Sequence, residues 1–165
     1  MKTARKPNRL KTYDYSDAGV YFITFCTNDR KQVLSRIETA ADEFSLPSLH
    51  LTKTGQCVNA AISAISEHYP GVFADRFVIM PNHVHLLLRI ELSGRSVSAP
   101  TGAQAPSVGA IIRHCKAYVT RQLGFSVWQK GFYDHIIRDE RDYLTRARYI
   151  ENNPAKWAED EYNQA

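Results

Sequence analysis

Two runs of β-type side chains, about 75–80 and 83–90, meet at Pro81-Asn82, and the second reads HVHLLLRI. Side chains alternate faces along a strand. From His83 onward, His83, His85, Leu87 and Arg89 point one way and Val84, Leu86, Leu88 and Ile90 the other. The second set is wholly apolar and must lie against a core. The chain is therefore committed to a sheet with at least one covered face. The two imidazoles stand together on the opposite face, about 7 Å apart along the strand. Neutral imidazole is a common metal ligand, and two such side chains can lean toward one ion. A pair of histidines on a solvated strand face can equally be plain polar surface.

The remaining segments supply the rest of a sheet and its cover. VYFITFC at 20–26 is β-branched and aromatic, a strand signal. Residues 54–69 place Val58, Ala61, Ile62, Ile65 and Tyr69 at helical spacing, ended by Pro70-Gly71. A second helix carries Val108, Ile111, Ile112, Cys115 and Val119 on one stripe, closed by Gly124. FYDHIIR at 132–138 reads as a strand, and a last helix runs from about Asp139 to Asn152 or Asn153, stopped by Pro154. The stretch at 33–51 reads as irregular. The order β, α, β, β, α, β, α suits an α+β, ferredoxin-like antiparallel sheet with helices on one face.

With 165 residues and 44% hydrophobic content, one compact domain with a real core is expected. No apolar run approaches the roughly 18 residues of a membrane span, and the basic N-terminus is not followed by the apolar stretch of a secretory signal. Three scattered cysteines, Cys26, Cys57 and Cys115, suit a reducing cytoplasm. Lys2, Arg5, Lys6, Arg9 and Lys11 put +5 on the first 12 residues. The other 153 residues hold 16 basic and 17 acidic groups, a net of −1. The division expected is a basic arm at 1–12, one domain at 13–157 with a flexible Ser/Gly/Ala/Pro loop at 91–106, and a tail at 158–165. Such an arm can meet phosphates or simply be solvated.

In the last helix, Tyr143, Leu144, Ala147 and Ile150 form the stripe expected to face the core. At about 100° per residue, Tyr149 falls roughly 120° from the centre of that stripe. Asn153 is one turn further on, nearly beneath it. A phenol and a metal-capable amide oxygen thus share one helix face. A half-exposed tyrosine followed by a capping asparagine has the same pattern. Tyr118 borders the apolar stripe of the second helix, with Lys116 and Arg121 nearby, and reads as packing or at most as a DNA contact.

MPNHVHLLL resembles the His-hydrophobic-His signature of HUH endonucleases, and YIENNP resembles the nucleophile helix of the single-tyrosine, IS200-like transposases, in particular the REP-associated tyrosine transposases. VWQKGFYDHIIRDERDYL and YFITFCTNDRK are similar to stretches of the same branch, so the resemblance spans about residues 9–157. It implies cleavage and rejoining of single-stranded DNA at palindromic hairpin repeats through a 5′-phosphotyrosine. It implies Tyr149 as nucleophile, and His83, His85 and Asn153 as ligands of Mg²⁺ or Mn²⁺. A DNA surface would draw on Arg5, Arg9, Lys11, Lys130 and Arg138, with Trp128 either stacking on an unpaired base or filling a core. The expected setting is the bacterial cytoplasm, at the nucleoid when bound to DNA, as monomer or homodimer. The rival reading is a domesticated relative that holds palindromic DNA or RNA without cutting it.

Overall fold

The computed structural model of the chain describes residues 18–91 and 106–163. In order these form β1 (Gly19–Cys26), a 3₁₀ turn (Asn28–Arg30), β2 (Ser35–Glu38), β3 (Ser48–Leu51), α1 (Lys53–Ser63) and α2 (Ile65–His68). Then come β4 (Val72–Ile79), β5 (His83–Ile90), α3 (Val108–Leu123), β6 (Tyr133–Ile136), α4 (Glu140–Asn152) and a 3₁₀ helix (Pro154–Glu159). The main sheet has the order β4-β5-β1-β6 with every pair antiparallel. That is the ferredoxin-like layout expected from the element order.

The pairing of β1 with β5 decides what lies on each face. Tyr21, Ile23 and Phe25 stand beside Leu88, Leu86 and Val84. All are buried, and Val58, Ile62 and Ile65 of α1–α2 and Ile111, Ile112 and Val119 of α3 cover them. The other face carries Phe22 beside Leu87 and Thr24 beside His85. Phe22 and Leu87 are buried under Ala147 and Ile150 of α4.

Helices therefore cover both faces, not one as the sequence pattern suggested. Phe22 and Leu87 are the reason, since each puts a large apolar side chain on the histidine face of a central strand. Leu144, expected in the α4 core stripe, is 44% exposed. It sits about 100° from Tyr143, whereas Ala147 and Ile150 fall within about 40° of it. The stretch read as irregular contains the two-stranded ribbon β2–β3, paired from Ser35↔Leu51 to Glu38↔Ser48. Its strands are short and of mixed polarity, so alternation is faint there. The helix read over 54–69 ends at Ser63 and resumes at Ile65. Of the loop at 91–106, residues 92–105 lie outside the described part of the chain, as do the arm residues 1–12.

Local chemistry sets the helix ends. Asp139 Oδ1 accepts from Asp142 N at 2.8 Å to start α4, Ser107 caps α3 through Ala110 N at 3.2 Å, and Gly124 ends α3 with φ 80°. Thr52 caps α1 through Gly55 N at 3.1 Å, and its hydroxyl faces the Val33 carbonyl at 2.6 Å. This double use draws the first turn of α1 onto the 33–34 backbone, and a Cβ at Gly55 would run into the Leu34 carbonyl oxygen. Gly55→Ala is therefore expected to destabilise the fold by about 1–3 kcal/mol. At this chain length that lowers the melting temperature by roughly 2–4 °C per kcal/mol. A variant that melts with the wild type would show that the helix can back away from the 33–34 segment.

Candidate active site

His83 and His85 are not surface residues. Their exposures are 0% and 1%, because α4 and the chain beyond it lie over this face of the sheet. The two Nε2 atoms are 3.0 Å apart. What each ring does at Nδ1 fixes what Nε2 can offer. Asn82, in the turn before β5, directs its Nδ2 to the backbone carbonyls of Arg30 at 3.1 Å and Tyr162 at 2.7 Å. Its Oδ1 must therefore be the atom 2.8 Å from His83 Nδ1, and an amide oxygen only accepts. His83 then carries its proton on Nδ1 and presents a lone pair at Nε2. His85 Nδ1 meets Thr24 Oγ1 at 2.7 Å. A hydroxyl can donate or accept, so His85 is free to turn a lone pair toward the same point.

Burial favours the neutral ring in both. It lowers the pKa of His83 to about 3, with Arg30 adding to the effect and contact with Asn153 opposing it. Burial, then His83 and Arg146, hold His85 well below the usual histidine range. Neutral imidazoles are the ligating form.

α4 brings the other expected residues to the same place. Tyr149 is 38% exposed, and its ring centroid lies 5.1 Å from that of His85. Phe22 backs both, stacked on His85 at 5.3 Å and edge-on to Tyr149 at 6.0 Å. Asn153 is 2% exposed, and its side chain contacts both His83 and Tyr149. Its Oδ1 is buried without a hydrogen-bond partner. An orphaned buried acceptor costs roughly 1–3 kcal/mol, which a cation beside it would offset. Burial is the main cause that raises the Tyr149 pKa, and the Asp160 charge adds to it. Among the described residues no three His, Cys, Asp or Glu side chains form a complete ligand set. The donors that fit a divalent ion are thus the two imidazoles and the Asn153 amide. Two donors each about 2.1 Å from an ion sit about 3.0 Å apart when adjacent in its shell, which matches the separation of the two Nε2 atoms.

Several participants went unread in the sequence. Thr24 and Asn82 orient the rings, and both carried a signal. Thr24 interrupts an apolar strand, and Asn82 directly precedes His83. Arg146 lies over Phe22, 5.0 Å from the ring centroid. The residues after 157, read as a tail, lie against the site instead. Tyr162 packs on His83 at 4.4 Å, and Asp160 Oδ2 is 4.0 Å from His83 Nε2. A cavity of about 480 Å³ beside Tyr149 is lined by Arg148, Asn152, Asn153, Lys156 and Asp160.

The residues expected to touch DNA are scattered. Lys130 and Arg138 are exposed near the two ends of β6, and neither lines the cavity. Arg5, Arg9 and Lys11 lie outside the described residues. Trp128 requires correction. It is 7% exposed and packs edge-on to Phe25 at 5.2 Å within the main core. Its ring has no free face on which a base could stack.

A four-stranded antiparallel sheet with a buried His-x-His pair, faced by a tyrosine on a covering helix, has the architecture of the HUH single-tyrosine class. The model of the family described as "Transposase IS200 like" matches residues 17–153. A Haemophilus influenzae protein of uncharacterized function is 34% identical over 172 residues, covering 95% of this chain and 92% of its own. A second protein of that organism, whose name places it among the REP-associated tyrosine transposases, is 24% identical, covering 87% of this chain and 74% of its own. The solved structure of a REP-associated tyrosine transposase bound to a REP hairpin superposes with a TM-score of 0.63 at 24% identity, covering 90% of this chain and 73% of that one. The chain belongs to the IS200-like transposase family.

The buried pair gives the fold a particular response to acid. Below about pH 6.5 the unfolded chain takes up protons on both imidazoles. The folded chain does not, until near pH 3 for His83. Stability contributed by the neutral rings is therefore whole above pH 6.5 and is lost as the pH falls, by about 1.4 kcal/mol per pH unit for each ring. Thermal denaturation between pH 7 and pH 4 should show a steep fall in melting temperature that is shallower in His83→Gln/His85→Gln. Equal slopes would assign the acid sensitivity to carboxylates elsewhere.

Proposed function

We propose that this chain is a metal-dependent endonuclease and strand transferase. It cuts single-stranded DNA at palindromic hairpin repeats and rejoins it through Tyr149. The observation that carries this reading is the convergence of Tyr149 on two neutral histidines whose Nε2 atoms face each other at 3.0 Å. A site built for packing alone would not gather two buried imidazoles, a buried orphaned amide oxygen and a partly exposed tyrosine in one place. Membership of a transposase family and a fold shared with a hairpin-bound relative support the same reading.

In the forward step the Tyr149 oxygen attacks the scissile phosphorus. An O–P bond forms, the P–O3′ bond breaks, the phenol gives up its proton and the departing 3′ oxygen gains one. The product is a 5′-phosphotyrosine and a free 3′-hydroxyl. Attack by a new 3′-hydroxyl reverses the sequence and needs no nucleotide cofactor, because the phosphotyrosine keeps the energy of the broken linkage. Phenol is a weak nucleophile at neutral pH, and here burial raises its pKa further. His83, His85 and Asn153 would hold Mg²⁺ or Mn²⁺, which supplies Lewis-acid stabilisation of charge on the phosphate. Phe22 and Asn153 orient the phenol. Arg148 and Lys156 line the cavity beside it and can meet backbone phosphates, as can Lys130, Arg138 and the basic arm with Arg5, Arg9 and Lys11.

The test is denaturing gel electrophoresis with end-labelled hairpin oligonucleotides taken from palindromic repeats flanking the gene. A protease-sensitive covalent adduct should form with Mn²⁺ or Mg²⁺, disappear on chelation, and be abolished in Tyr149→Phe without loss of hairpin binding. Hairpin binding with no adduct under either metal would mean a palindrome-binding module that does not cut. An adduct that survives Tyr149→Phe would move the nucleophile elsewhere.

A further inference from the structure

The cavity beside Tyr149 has walls that carry charge of both signs. One wall is the outer face of α4, where Arg148 and Asn152 flank Tyr149. The other is the segment after Pro154, which brings in Lys156, Glu159 and Glu161. Lys156 and Glu159 are three residues apart in a 3₁₀ helix, so their side chains stand on one side of it. Asp160 also lines the cavity, but its side chain is 4% exposed and its Oδ1 already accepts from Tyr162 N at 2.8 Å. Arg148, Asn152, Lys156, Glu159 and Glu161 are exposed. Among the described residues, none of these five side chains makes a hydrogen bond or an ion pair. Asn153 lines the same cavity, and although it is 2% exposed its Oδ1 has no hydrogen-bond partner.

Such a lining does not suit a phosphate alone. Arg148 and Lys156 would attract one, but Glu159 and Glu161 would repel it. The matching ligand carries negative charge on one part and hydrogen-bond donors on another, as a nucleotide does. Its phosphate can meet Arg148 or Lys156, and its base can offer donors to the two carboxylates and to Asn152. At about 480 Å³ the cavity falls within the roughly 300–1,000 Å³ of small-ligand pockets. That is room for one unstacked nucleotide and not for a duplex. Bases taken out of a stack are read on their hydrogen-bonding edges. Adenine, cytosine and guanine each carry an exocyclic amine, which can donate to a carboxylate. Thymine has none. Its one ring donor lies between two carbonyl oxygens, which a carboxylate repels.

We propose that this cavity seats a nucleotide next to the scissile phosphate, and that Glu159 and Glu161 select a base with an exocyclic amine against thymine. The placement next to the scissile phosphate rests on the reading of Tyr149 as nucleophile. The selection itself is a property of the cavity walls and is measurable without cleavage.

The experiment uses the full-length protein and hairpin oligonucleotides with a single-stranded flank. Each flank position in turn carries cytosine or deoxyuridine, a pair that exchanges the amine for a carbonyl and lacks the thymine methyl. Equilibrium binding is read by fluorescence anisotropy without metal, and adduct formation is read on denaturing gels with Mn²⁺. Wild type, Glu159→Gln/Glu161→Gln and Glu67→Gln are compared, and melting curves check that each is folded. Glu67 lies on α2, away from the cavity. Removing two negative charges raises affinity for any DNA, so the quantity scored is the ratio of cytosine to deoxyuridine binding. Wild type and Glu67→Gln should favour cytosine at least about fivefold at one flank position, and the double variant should bring that ratio close to one. A ratio near one at every position in wild type, or a preference that persists in the double variant, overturns the proposal. If an adduct forms in that case, the strand-transfer reading stands without the base site. A preference lost in the double variant with no adduct from any oligonucleotide keeps the base site and removes the cutting reading.

Discussion

The antiparallel pairing of β1 with β5 is the constraint on which both the core and the site depend. Each strand is covered on both sides, so each residue has one permitted direction. Ile23 and Leu86 point into the layer under α1 and α3, while Thr24 and His85 point into the layer under α4. A slip of one residue would exchange the two sets. It would drive the imidazoles into the main core and bring Leu86 and Leu88 to the site. The apolar majority therefore enforces the register, and the histidines inherit a position they could not hold by their own contacts. The Thr24–His85 hydrogen bond refines a ring whose place the surrounding apolar side chains have already fixed.

Around that pair the charges are sparse and opposed. Arg30 and Arg146 lie close enough to disfavour protonation of His83 and His85 respectively. Asp160 lies on the opposite side of the balance and disfavours a phenolate at Tyr149, where Asn153 and Arg146 favour one. Left without a cation, the arrangement keeps the imidazoles neutral and the tyrosine protonated. A divalent ion placed at the Nε2 lone pairs would offset the nearby carboxylate and favour the ionised tyrosine at once. The same few side chains thus bear both on the protonation of Tyr149 and on the chemistry proposed for the site.

Much of this was legible in the sequence, for physical reasons that differ by residue. Strand alternation placed His83 and His85 on one face, and helical spacing placed Tyr149 above Asn153 and off the apolar stripe. Both are local periodicities. What could not be read was which layer each face would join. The presence of Phe22 and Leu87 among the histidine-side residues was the clue that this face would also be covered, but alternation alone treated it as open. Asp160 and Tyr162 come to the site through a reversal of the chain after Pro154 that depends on Asn82, nearly eighty residues away. Trp128 suited a base stack or, somewhat better, a core or lid, and its packing on Phe25 places it in the core. The β2–β3 ribbon was missed because four-residue strands of mixed polarity carry almost no period.

The two layers are unequal, and the difference falls across the site. Among the described residues, the α1–α3 side of the sheet buries a cluster of twenty hydrophobic residues, and the α4 side buries four. Apolar burial stabilises by roughly 25 cal/mol per Å², so α4 is held by far less than α1 and α3. Its other ties are polar and lie at the margins. Arg76 pairs with Glu151 at 2.6 Å, but both are about half exposed, and such a pair contributes about 1 kcal/mol or less. His135 meets Asp142 at 2.8 Å and joins α4 to the edge strand β6. The histidines thus sit on a strand whose other face packs into the larger cluster, and the tyrosine on the helix over the smaller one. Local opening follows the weakest layer first. Opening of α4 would separate Tyr149 and Asn153 from His83 and His85 while leaving the larger core intact. The site is assembled across the layer that, among the described residues, holds the smaller of the two hydrophobic clusters.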